Sequence, residues 1–101
     1  HGQLYQLSAD INFVIHAHCP QIWQLASSLQ LAQTRAEVPY GTVAMADEVA
    51  RLFCQTDVLT RGLFTMAGHE DGVVAFGQSA QQAAERLICC YARALEREKL
   101  K

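Results

Sequence analysis

The stretch FVIHAHCP, residues 13–20, decides how this chain is read. Val14 and Ile15 are β-branched and follow an aromatic residue, a composition that suits a pleated, half-buried surface. The run predicts a strand over 13–18, which Pro20 then stops. Residues two apart on a strand project to one face, so His16 and His18 stand side by side while Cys19 points the other way. Two imidazoles placed like this are either a polar pair within a sheet or two thirds of a metal site.

Working outward, QLYQLS (3–8) reads as a short strand, able to form a hairpin with 13–18 across a turn at 10–12. Pro20 is suited to the first turn of a helix. Ile22, Trp23, Leu25, Ala26 and Leu29 follow at helical spacing, which predicts a helix over 20–31. AQTRAEVPYGT (32–42) reads as a connection ending in a Pro-Tyr-Gly turn. Thr42 is placed to cap a second helix, with Met45, Ala46, Val49, Leu52 and Phe53 on one stripe. GLFTMAG (62–68) and VVAFG (73–77) read as strands joined by the turn HEDG (69–72). Ser79 followed by Gln82 is a capping-box signature. The last helix is expected to carry Ala83, Ala84, Leu87, Ile88, Tyr91 and Leu95 inward. Strands and helices therefore alternate in a single mixed domain spanning 1–101, α/β or α+β, with hairpins as well as helical crossovers.

The 101 residues are half hydrophobic and only 18% charged, rich for one small domain, as expected of a core continued into further sequence or into a neighbouring subunit. A formal charge of -2, with no lysine before Lys99, gives no footprint for nucleic acid. No window is apolar enough to cross a membrane, and the first residues lack the pattern of a signal peptide. Cys19, Cys54, Cys89 and Cys90 follow no disulfide or zinc-ribbon spacing, so they are expected to be free, mostly buried thiols in a reducing cytoplasm. Cys89 and Cys90 are adjacent on a helix and read as packing residues, as does Cys19.

A third ligand beside His16 and His18 has to come from His1, His69 or a carboxylate. His69 sits after an apolar strand and before a glycine-bearing turn, where rigid backbone meets an accessible side chain. Taken alone, it reads first as a polar turn residue.

Taken in order, HGQLYQLSADINFVIHAH, PYGTVAMADEVARLF and LFTMAGHEDGVVAFGQSAQQAAERL resemble the class II aldolase/adducin family over nearly the whole chain. The resemblance implies a three-layer α/β/α fold with a mixed, largely antiparallel sheet. It implies His16, His18 and His69 as ligands of a divalent metal, usually zinc. It also implies a lyase that acts on a small sugar phosphate through a metal-stabilised enediolate, working as a homo-oligomer. Epimerases and dehydratases, and the non-catalytic interaction modules of adducin type, share that pattern. In the family the acid/base glutamate lies a few residues before the histidine matched by His1, and the phosphate-holding segments lie earlier still. Glu37, Glu48 and Glu70 do not match that position. The resemblance thus implies the C-terminal portion of a longer domain, with strand edges covered by self-association or by the N-terminal segment.

Overall fold

A computed structural model describes Leu4, residues 11–38 and residues 42–99. Among them the elements run β1 (Phe13–His18), α1 (Pro20–Gln24), β2 (Ala32–Thr34), α2 (Val43–Gln55), α3 (Val58–Arg61), β3 (Leu63–Met66), β4 (Gly72–Gly77) and α4 (Ala80–Lys99). The strands form one sheet in the order β1-β4-β3-β2. β4 is antiparallel to both neighbours, and β2 runs parallel to β3. The chain is an α/β protein with a mixed sheet.

β3 and β4 are buried throughout, so their alternate side chains feed two separate cores. On one face Phe64, Met66, Val74 and Phe76 pack with Met45, Val49 and Leu52 of α2 and with Val58 of α3. On the other, Leu63, Val73 and Ala75 meet Ile22 of α1, Leu25 and Leu29 beyond it, and Cys90 and Ala94 of α4. Complete burial of a side chain such as Phe64 or Ile22 contributes about 1.5–3 kcal/mol.

The capping signals work as the sequence implies. Thr42 Oγ1 accepts from the Met45 N–H at 3.3 Å, and Ser79 Oγ accepts from the Gln82 N–H at 3.1 Å. Gln82 Oε1 reaches back to the Gln78 N–H at 2.6 Å.

The helix expected over 20–31 ends at Gln24. Ser27 and Ser28 are weak helix formers, and Gln30 takes a positive φ of 59° that turns the chain into the sheet. Leu25, Ala26, Leu29 and Leu31 are buried all the same, so the spacing marked the core without marking the helix.

The 32–42 connection hides a strand, β2. Its three residues are too few and too polar to show a period; pairing of Ala32 with Phe64 and of Thr34 with Met66 makes it a strand. Glu48, buried on α2, clamps its exit. The carboxylate accepts from the Arg35 N–H at 2.5 Å and from Arg51 Nε at 2.6 Å.

The inward face of α4 is rotated from expectation. Ala83, Cys90 and Ala94 are buried, whereas Ile88 is 64% exposed and Tyr91 and Leu95 are also exposed. Small residues let the helix axis approach the sheet closely, and the bulkier stripe beside them is left outside. The cysteines are likewise less buried than expected: Cys90 is buried, Cys19 half-buried, and Cys54 and Cys89 exposed.

The expected strand at 3–8 lies outside the described residues except for Leu4, which is helical and buried. The turns at 10–12 and 39–41 also fall wholly or partly outside them. No helix among the described residues is long and apolar enough to cross a membrane.

Candidate metal centre

The site is built at one end of the sheet. His16 pairs with Val74 and His18 with Gly72, so both imidazoles project from the face that α2 covers. His69 comes from the β3–β4 turn. That turn is fixed by the His69 N–H donating to the Met66 carbonyl at 3.0 Å and the Gly72 N–H donating to the His69 carbonyl at 2.9 Å. Asp71 takes a φ of 63°, a left-handed conformation that aspartate tolerates better than most residues.

Two longer-range bonds hold the turn in place. The Cys19 N–H, just past β1, donates to the Asp71 carbonyl at 2.8 Å, drawing the turn toward the histidine strand. Trp23 Nε1, on α1, donates to the Met66 carbonyl at 2.9 Å.

The three rings form a nearly equilateral triangle. Centroids lie 5.4 Å apart for His16 and His18, 5.5 Å for His16 and His69, and 5.0 Å for His18 and His69. One ligating nitrogen from each lies within 4.8 Å of the others. Nitrogens bound at about 2.0–2.1 Å to a single tetrahedral ion stand about 3.4 Å apart, so the rings would draw closer together to share one ion.

Nε2 of His16 and of His69 are buried, whereas His18 is exposed. Burial, reinforced by the neighbouring His69 and His18, lowers the His16 pKa from its ordinary value and favours the neutral imidazole that a metal requires. Gly72 leaves the room that His69 occupies: a Cβ there would meet His69 Cδ2 at 2.7 Å. Three converging imidazoles, one of them open to solvent, are a donor set suited to a metal ion.

The structure thus brings together His16, His18 and His69, and among the described residues this group contains no cysteine or carboxylate. Cys19 stays out of it, its Sγ donating to Gln21 Oε1 at 3.7 Å. Glu37 and Glu70 are exposed, and Glu48 is committed to Arg51 and Arg35. Gly72 is the contributor that sequence reasoning missed. The Asp-Gly turn signal was visible, but its position opposite His18 depends on strand register.

Residues 1–95 match one protein family, described as the Class II Aldolase and Adducin N-terminal domain. No curated protein and no solved structure matches the chain.

Proposed function

The chain belongs to the class II aldolase and adducin family, and from that premise we propose that His16, His18 and His69 hold a divalent metal, zinc by preference, at the centre of an aldolase-like site. The observation that carries this reading is the convergence of three imidazoles from β1 and the β3–β4 turn, with ligating nitrogens within 4.8 Å of one another. A bound ion would supply Lewis acidity toward a carbonyl and an adjacent hydroxyl, the chemistry of a lyase that makes or breaks a C–C bond in a small sugar phosphate.

The protein's own part is placement. β1 fixes two imidazoles on one rigid face, and the hydrogen-bonded turn sets the third against them. Neutral ligands leave the cationic charge of the site undiminished for an anionic substrate. His18 lies on the solvent side, which makes it the rim over which substrate arrives. Each imidazole spends its lone pair as a ligand, so none of the three is assigned the proton transfer.

Self-association and a cytoplasmic setting belong to the same proposal. The exposed stripe of Ile88, Tyr91 and Leu95 supports the first, and the cysteine spacing supports the second.

Elemental analysis of protein purified with zinc supplementation tests the reading. Near-stoichiometric metal that disappears in His18→Ala is expected; metal-free wild-type protein would overturn it.

A further inference from the structure

A second polar concavity lies at the opposite end of the sheet. It is a cleft of about 390 Å³ whose walls include Arg61, Arg86, Arg93 and Glu85 and whose apolar floor includes Leu63 and Cys90. It opens at Leu63, where β3 begins, whose partner Ala75 lies about 10 Å along β4 from Gly72 by strand rise. Leu63 and Cys90 belong to the core on the sheet face away from the histidines. The cleft is therefore separate from the metal centre in both position and face.

Two of its guanidinium groups are held in place by neutral partners. Arg61 donates to the Gln30 carbonyl at 2.6 Å and to the Leu29 carbonyl at 3.1 Å. Arg86 donates to the Phe76 carbonyl at 2.7 Å and lies across Gly62, where a Cβ would collide with it. Gly62 closes α3 with a φ of 80°. Arg93 is exposed and makes no hydrogen bond to a described residue.

None of the three is ion-paired with a carboxylate of the described residues, in contrast to Arg51, which Glu48 neutralises. Among the described residues lining it, the one carboxylate, Glu85, accepts from Gln81 Nε2 at 3.0 Å. Three arginines against one glutamate leave a net positive cleft, and a guanidinium has five donors, of which these anchors use one or two. Burial raises the Cys90 thiol pKa while Arg93 and Arg61 pull it down, so the positive field reaches the floor.

We propose that this cleft binds the phosphate group of a small organic phosphate, with Arg61, Arg86 and Arg93 as its donors and Leu63 and Cys90 against the organic part. The volume exceeds what an inorganic anion fills and lies in the range of small-molecule sites. Planar guanidinium forks suit phosphate oxygens. Glu85 opposes the ligand's charge and thereby weakens binding.

The test is thermal unfolding of the purified protein, at constant ionic strength and with chelator present, titrated with phenyl phosphate and with inorganic phosphate. Phenyl phosphate is expected to raise Tm saturably and at lower concentration than inorganic phosphate. Arg93→Gln, which breaks no hydrogen bond to a described residue, is expected to weaken binding about tenfold. Glu85→Gln is expected to tighten it, and His18→Ala to leave it unchanged. No saturable rise, equal affinity in Arg93→Gln, or loss of binding in His18→Ala would each overturn the assignment. Equal affinity for the two probes would overturn the role of the apolar floor.

Discussion

The imidazole of His69 fills the space that a side chain at position 72 would need, since a Cβ on Gly72 would stand 2.7 Å from His69 Cδ2. Gly72 is also the register partner of His18. One missing side chain therefore lets a turn histidine settle against a strand histidine.

Gly72→Ala should push the His69 ring off the triangle while leaving the β-sheet pairing intact, because alanine is acceptable in an extended strand. Zinc affinity, measured against a competing chromophoric chelator, is expected to fall about 10- to 100-fold, the range for residues that support metal ligands. Unchanged affinity would mean that the ring adjusts without loss, and that Gly72 serves only the turn.

The third ligand can be tested against its rival in the sequence. His69→Ala is expected to abolish stoichiometric zinc retention through gel filtration, and His1→Ala to leave most of it. Equal effects would remove His69 from its assigned role.

The clamp on β2 predicts a pH dependence. The Arg51 hydrogen bond lowers the Glu48 pKa from its ordinary value near 4.5, against the opposing effect of burial, with a further lowering from the Arg35 N–H. A carboxylate with a depressed folded-state pKa binds fewer protons folded than unfolded. Its stabilisation is thus fully present above the unfolded pKa and is lost as pH falls through the folded one. Glu48→Gln should lower Tm at neutral pH by roughly 5–10 °C. It should also flatten the acid limb of the stability curve below about pH 4.5. Parallel acid limbs for wild type and variant would show that the pair contributes nothing through ionisation.

Two buried hydroxyls make a simpler prediction. Thr34 Oγ1 and Thr65 Oγ1 lack a hydrogen-bond partner among the described residues, and both side chains are 1% exposed. Thr65→Val keeps the shape and removes an unsatisfied donor. It should be neutral or stabilising by up to about 1 kcal/mol in urea unfolding. A loss of stability beyond that would show that the hydroxyl has a partner of its own.

β1 was legible to the residue, because an apolar β-branched run stopped by proline is a purely local signal. The helix caps at Thr42 and Ser79 were legible for the same reason, since a cap is a bond between residues three apart. The inward face of α4 was not, because two apolar stripes, one ending in Cys90 and Ala94 and the other in Tyr91 and Leu95, lie side by side on that helix. Only the distance of the helix from the sheet chose the stripe with small residues.

By itself the sequence determined that His16 and His18 share one face and that Cys19 leaves it, since the pleat of a strand alternates whatever surrounds it. It did not bring His69 to them. That took the antiparallel register of β1 on β4, the bond from the Cys19 N–H to the Asp71 carbonyl, and the space at Gly72. The second, arginine-lined cleft is more fully tertiary, gathering Arg61 from α3 with Arg86 and Arg93 from α4. Local chain geometry fixes where a side chain points; only packing between distant segments fixes what it meets.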